Sequence, residues 1–432
     1  MSKQIRWLHK EIGSWQAEQL ISPQQAEQLR ARYAVSATSR SWDRLIFPSI
    51  GAVVFGLGII LFFAYNWADM HRYLKLAIVF GSLLTAHGLG YYLSSPQRPQ
   101  RGLGEGLHLL GTMLFGAGIW LIAQIYHLDE HYPNAFLAWS LGALAFAWVL
   151  PSVAQGLLAV VLLSLWSGME IIDFRQVLHA SWLLILLGVL PLAWWLRSPL
   201  LMFTTLLSFS VLLVYNLTVP FPELMIYLGF SLACLYLALA KLAQSTGFPE
   251  SASILHIIGF AGYLLILYLF SFKLSGRYLA QLHDAHLLSW INWIVPLLMV
   301  FIAWLTVLFG KNWSLLTRLD RWQSCLIMIV MLLVTVHFFM PIQRHNDWIY
   351  TLLFNLAYLS HCVIFIIQGI QQVSWKQVSI GCVLMALLLF VRFTDLFGSL
   401  LVRALMFVLL GIGLFAVGYF YSRRKQQEIA DA

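Results

Sequence analysis

Two polar clusters in this sequence carry the side chains whose types and spacing could do chemistry. Tyr65, Asn66, Trp67, Asp69 and His71 form the first, and Gln124, Tyr126, His127, Asp129, Glu130 and His131 the second. Each closes an apolar run that contains a Gly-x-Gly step, Gly56-Leu57-Gly58-Ile59 before the first and Gly116-Ala117-Gly118-Ile119 before the second. Were the two runs parallel membrane helices, their ends would meet at one depth, where imidazole, amide and carboxylate groups could bind a cation, a sugar or a lipid headgroup. The ligand site expected on this ground is Asn66, Trp67, Asp69, Gln124, Tyr126, His127 and Asp129. A second reading stands beside it: Tyr65, Trp67 and Tyr126 as an interfacial aromatic belt, with the acids and histidines as solvated loop residues. Small residues two apart likewise suit close helix packing as well as a parallel repeat around a site.

His127-Leu128-Asp129-Glu130-His131 has metal-ligand residue types, but not the spacing of a zinc-protease helix. No metal, cofactor or catalytic residue is expected, and no phosphate loop, dinucleotide fingerprint or nucleophile elbow occurs.

A further set of polar residues lies within the apolar runs: His87, Glu105, His108, Glu170, His256, His337, Asn355 and His361. A charge at mid-membrane costs roughly 2.5 to 3.5 kcal/mol on insertion scales, so depth decides their meaning. Glu105 and His108 fall near the start of their run and Glu170 at the end of one, where the side chains can snorkel. His87, His337 and His361 lie deeper, and a neutral histidine there can hydrogen-bond between helices. Asp173, Asp284, Asp320, Asp347 and Asp395 all fall at loops or run ends, which weakens a proton-coupled reading. Arg392, Asp395 and Arg403 could present charge to an anionic lipid or simply snorkel.

The elements that must position these groups follow from composition. Of 432 residues 60% are hydrophobic and 10% charged, against roughly a quarter charged in a soluble domain. The fold class expected is all-α and polytopic, because a membrane span needs about 20 apolar residues with every backbone bond satisfied internally. Runs fall at 47–67, 73–93, 104–126, 135–150, 152–168, 180–196, 200–218, 223–243, 253–272, 289–309, 322–341, 348–370, 375–392 and 398–421: about fourteen helices, twelve if 135–168 and 180–218 are each one kinked span. Four domains are read: 1–44, an amphipathic head; 45–150; 151–421, further spans; and 422–432, a basic tail. In the head, Ile5, Leu8, Ile12 and Trp15 share one helical face, and Ser22-Pro23-Gln24-Gln25 is a capping sequence for a second helix ending near Tyr33. Cys234, Cys325, Cys362 and Cys382 lie in apolar runs without metal or disulfide spacing and read as packing residues.

The net charge of +8 is scattered over tails and short loops rather than gathered on a soluble face, so nucleic acid is not an expected partner. Seven Lys and Arg in the N-terminal tail and Arg423-Arg424-Lys425 place both termini in the cytoplasm by the positive-inside rule.

With those residues in hand, roughly positions 1–150 resemble the bacterial membrane-protein family known as domain of unknown function 2157. The resemblance rests on "SPQQAEQLRARY", "GAVVFGLGIILFFAYNWADM" and "GTMLFGAGIWLIAQIYHLDE", most specifically on Gln124-Ile125-Tyr126-His127. It implies a bacterial inner-membrane protein without an assigned activity and carries over no catalytic residue. Two functions are therefore expected as alternatives: a transporter-like or lipid-handling protein using the outer polar cluster, or a non-enzymatic scaffold whose head, residues 1–44, binds a cytoplasmic protein. Membrane lipids are partners in either case, and a transferase has only Glu130, His131 and Arg392 as weak candidates.

Overall fold

A computed structural model describes residues 11–32, 50–51, 54–55, 58, 61, 71–94, 101–127, 131–219, 222–244, 247–272, 287–310, 312–339, 347–395 and 400–430. All secondary structure in them is helical. The head comprises α1 (residues 11–17) and α2 (Pro23–Arg32). The start of α2 is built by a reciprocal capping box. Gln25 N–H donates to Ser22 Oγ at 3.2 Å, and Ser22 N–H donates to Gln25 Oε1 at 2.9 Å. Ile12 and Ala26 are buried and Trp15 is half-buried.

Apolar helices follow: α3 (Arg72–Leu93), α4 (Arg101–Tyr126), α5 (Pro133–Val149), α6 (Val153–Phe174), α7 (His179–Trp195), α8 (Pro199–Thr218), α9 (Met225–Ala243), α10 (Pro249–Phe270), α11 (Leu287–Phe309), α12 (Arg318–Phe339), α13 (Asp347–Gln371), α14 (Trp375–Asp395) and α15 (Leu400–Ala430). Every run expected from 73–93 onward is thus a helix. Among the described residues, eight helices are long and apolar enough to cross a membrane: α3, α4, α6, α8, α9, α10, α12 and α13. Shorter apolar stretches occupy α5, α7, 294–309 and 375–389. This is a polytopic helical membrane protein. The first expected run, 47–67, lies largely outside the described residues.

The two places where the span count was open are true helix boundaries. Pro151 separates α5 from α6, whose first turn is capped by the Ser152 side chain accepting from Gln155 N–H. Ser198 caps α8 in the same way, with Pro199 following and Arg197 in the left-handed region at φ 45°. Inside α7 the residues Ile185–Val189 form a π-turn just before Pro191, which has no N–H to continue an α pattern. The Trp148 indole donates to Gly188 O at 3.0 Å in that turn.

The chain forms two compact units, Met1–Phe146 and Ala147–Ala432. In the first, α3 and α4 pack as an antiparallel hairpin. The Gly-x-Gly step of α4 serves packing: a Cβ at Gly116 would lie 2.1 Å from the Trp139 ring and one at Gly118 would lie 2.8 Å from Val79 Cγ1. Of its expected counterpart, Gly56 and Leu57 fall outside the described residues, and a Cβ at Gly58 would have nothing within 4 Å.

In the second unit α9 packs on α10, α11 and α12, and α13 packs on α10, α12 and α14. Where α9 and α10 meet, an added Cβ at Gly259 would lie 3.0 Å from Ala233 O, so small residues let the backbones approach. Trp304, Tyr227, Tyr263, Tyr358, Phe230 and Phe354 fill the space between these helices, and the Trp304 indole donates to Cys234 O at 3.1 Å. Cys234 and Cys362 are packing residues as expected, whereas Cys325 is exposed. Two asparagines tie loops to helices. Asn216 accepts from Leu178 N–H at 2.6 Å and donates to Leu212 O, and Asn355 donates to Ser271 O and Thr351 O.

Gly116→Ala is expected to lower stability by about 1 to 3 kcal/mol, because Trp139 must be displaced. Gly81→Ala has nothing within 4 Å of the added methyl and should be neutral or slightly stabilising. Thermal unfolding of both variants in one detergent checks the pair of outcomes.

Candidate functional site

The most specific polar arrangement in the first unit is a pair of histidines facing each other across the α3–α4 hairpin. His87 Nδ1 lies 3.2 Å from His108 Nδ1. The seat of each ring is a glycine on the opposite helix: a Cβ at Gly111 would lie 2.6 Å from His87 Nε2, and one at Gly90 would lie 3.0 Å from His108 Nδ1. The two halves share one local pattern, His87-Gly88-Leu89-Gly90 and His108-Leu109-Leu110-Gly111. On a helix, residues three apart share a face, so each strand of the hairpin offers one ring and one empty notch, and the two interlock.

Other side chains hold this register. Phe146 stacks on His87 with ring centroids 4.3 Å apart and planes 2° from parallel. Thr112 Oγ1 donates to His108 O at 3.1 Å, and the Trp139 indole donates to Thr112 O at 2.8 Å. His87 is six residues from the end of α3 and His108 seven from the start of α4. At a rise of about 1.5 Å per residue the pair sits about 10 Å inside the helix ends, well within a hydrocarbon layer about 30 Å thick.

This corrects the expectation for His108, which is 6% exposed and turned inward rather than snorkelling. The signal was present in the sequence as the repeated His-x-x-Gly spacing, but each histidine was weighed by its own depth instead of against the other. Glu170, expected at a boundary, is also buried.

The chemistry of the pair follows from proton counting. Two neutral imidazoles can share an Nδ1···Nδ1 hydrogen bond only if one ring carries its proton on Nδ1 and the other on Nε2. The donor ring then has a bare Nε2 acceptor, and the acceptor ring an Nε2–H donor. Both Nε2 atoms are buried, and neither has a hydrogen-bond partner among the described residues. Burying such groups unpaired costs roughly 1 to 3 kcal/mol each. The two buried Tyr–His contacts of the second unit pair an imidazole with a phenol instead, although His361 Nδ1 is likewise buried without a hydrogen-bond partner among the described residues. Tyr227 Oη lies 3.3 Å from His337 Nδ1 and Tyr263 Oη 2.9 Å from His361 Nε2, each in a box of aromatic rings. They join α9 to α12 and α10 to α13 and read as interhelical ties.

Of the ligand site expected from sequence, Gln124 and Tyr126 occupy the last turn of α4, and His127 follows in the left-handed region at φ 52°. All three are exposed. Asn66, Trp67, Asp69 and Asp129 lie outside the described residues. Among the described residues no group of three or more His, Cys, Asp or Glu side chains could hold a metal ion.

Residues 13–157 match the family described as predicted membrane protein (DUF2157). The matched stretch takes in both helices of the histidine hairpin and the exposed end of α4. No curated protein and no solved structure matches the chain.

His87→Leu and His108→Leu should each cost about 1 to 2 kcal/mol, since each strands the Nδ1 of its partner. The double variant should cost less than the sum of the two, a non-additivity that unfolding midpoints in detergent would measure. Strict additivity would mean that the rings do not act together.

Proposed function

We propose that this protein is transporter-like and that passage of its solute is linked to a proton moving through His87 and His108. The observation that carries this reading is the pair of buried Nε2 atoms of opposite polarity on either side of a 3.2 Å Nδ1 contact. A proton joins the bare Nε2 of the first ring, and the Nδ1 proton of that ring crosses to Nδ1 of the second. The Nε2 proton of the second ring then leaves. One proton has entered, one has left, and no charge remains in hydrocarbon at the end.

The step also reverses the tautomers, so a second proton cannot follow in the same direction until the rings are reset. Packed against glycine and Phe146, the rings have little freedom to turn. Resetting therefore asks for a movement of α3 against α4, the kind of step that could be geared to a solute. In this reading the solute, a polar molecule or a lipid headgroup, is met by Asn66, Trp67, Asp69, Gln124, Tyr126, His127 and Asp129, in a bacterial inner membrane with both termini cytoplasmic. Glu105, three residues before His108 and half-buried, is placed on the approach to the pair. The placement of the aspartates at loops and run ends, which weakens a proton-coupled reading of the sequence, loses its force when two imidazoles do the exchange.

Vesicles containing the purified protein and a trapped pH-sensitive dye test this under an imposed potassium diffusion potential. Proton entry should exceed that of protein-free vesicles and fall several-fold in His87→Leu and in His108→Leu, while Gly81→Ala retains it. Solid-state 15N spectra of labelled histidine should show both tautomers of the pair in exchange. A single fixed tautomer with no histidine-dependent flux would leave the scaffold reading ahead, in which Trp15→Ala in the head would abolish partner capture.

A further inference from the structure

A second polar feature, independent of the histidine pair, lies in the Ala147–Ala432 unit where α9 ends and α10 begins. A cleft of about 340 Å³ opens there between the two helices. Its polar lining comes as two one-turn pairs, Lys241 of α9 with the residue that caps it, Gln244, and Ser253 with His256 on α10. Residues three apart share a helix face, so the four side chains are directed to the same space. Alanines at 240 and 252 complete the lining and leave room, and Ile257, 59% exposed, forms the wall on the lipid side.

All four polar side chains can donate hydrogen bonds, and no carboxylate lines the cleft. Lys241 is only 7% exposed, so its ammonium is held in the unit rather than extended into water. Asp320 on α12 provides a counter-charge close enough to act on both Lys241 and His256. Its carboxylate also accepts from Thr317 Oγ1 at 2.7 Å and from Gln368 Nε2 at 3.4 Å.

Such a pocket, with a donor on every polar side chain and a cation but no carboxylate in its lining, beside an apolar wall at the ends of membrane helices, matches an amphiphile whose polar end is rich in acceptors. We propose that the cleft binds the phosphate diester of an anionic phospholipid, with the headgroup against Lys241, Gln244, Ser253 and His256 and an acyl chain running along Ile257. The ligand is a bound lipid of specific charge, not a general coat, because the cleft admits one phosphate and offers it a fixed set of donors.

The test uses the full chain, delipidated in a neutral detergent and titrated with phosphatidylglycerol, phosphatidylcholine or glycerol 3-phosphate under native mass spectrometry. One phosphatidylglycerol is expected per chain, bound in preference to phosphatidylcholine. Lys241→Met should weaken that binding about fivefold, the effect of one basic side chain at an anionic lipid surface, and Lys241→Arg should retain it. If Lys241→Met does not fold, Ser253→Leu, at an exposed position in the mouth, should block the lipid by filling the entrance. Equal binding of both lipids, or phosphatidylglycerol binding unchanged in Lys241→Met or Ser253→Leu, would overturn the proposal. Glycerol 3-phosphate binding as tightly as the lipid would overturn the lipid assignment in favour of a soluble phosphate ester.

Discussion

Hydrocarbon offers no hydrogen bonds, and the arrangement of polar groups in this protein follows from that one constraint. Backbone groups meet it by being helical over the apolar runs among the described residues. At helix breaks the groups left over are taken up locally: Ser152 and Ser198 cap the helices that restart after them, and Trp148 reaches a carbonyl in the π-turn that Pro191 forces. Side chains meet the constraint across helices, through Asn216, Asn355 and the two Tyr–His ties. Between apolar helices in lipid there is little hydrophobic drive to associate, so these contacts and close packing at small residues such as Gly116 and Gly259 define which helices are neighbours.

The helices themselves were legible in the sequence because span length and polarity are set by the bilayer, not by the fold. Pro151 and Arg197-Ser198-Pro199 could be read as breaks for the same reason, since proline and a capping serine act within a few residues. The capping box at Ser22 is equally local. What could not be read was which faces meet. Apolar side chains are interchangeable toward lipid or toward another helix, so α3 packing on α4 leaves no periodic trace in a run that is apolar all round. The Gly-x-Gly step shows the same limit: its small size was plain, but whether it seated Trp139 or a parallel helix was not.

The histidine pair falls between these cases. Its parts are local, a ring and a glycine one turn away, and their repetition is visible once both copies are compared. For His108, distance from the helix start does not measure exposure, because burial here comes from the partner helix. Lys241 illustrates the converse. A lysine near a helix end reads as snorkelling, and its enclosure depends on α10 and on Asp320 from α12, which are distant in sequence. Polar residues near span ends are thus decided by packing, and sequence depth alone places only those near the middle.

Glycine seats explain why the pair can be both tight and useful. An added Cβ at Gly111 would lie 2.6 Å from His87 Nε2 and one at Gly90 3.0 Å from His108 Nδ1, so a larger residue at either position would push a ring out of its seat. With glycine the contact needs no strain, and small relative movement of α3 and α4 would open it. A hydrogen bond between transmembrane helices is worth only about 0.6 to 2 kcal/mol, and the two buried Nε2 atoms together forfeit about 2 to 6 kcal/mol while unpaired. The Nδ1 contact by itself therefore does not hold the pair closed against an arrangement in which water or another donor reaches the Nε2 atoms. An element held so weakly can be shifted by a ligand whose affinity for the two states differs by one or two powers of ten. Had the pair been satisfied at all four ring nitrogens, it would have been a stronger tie and a poorer switch.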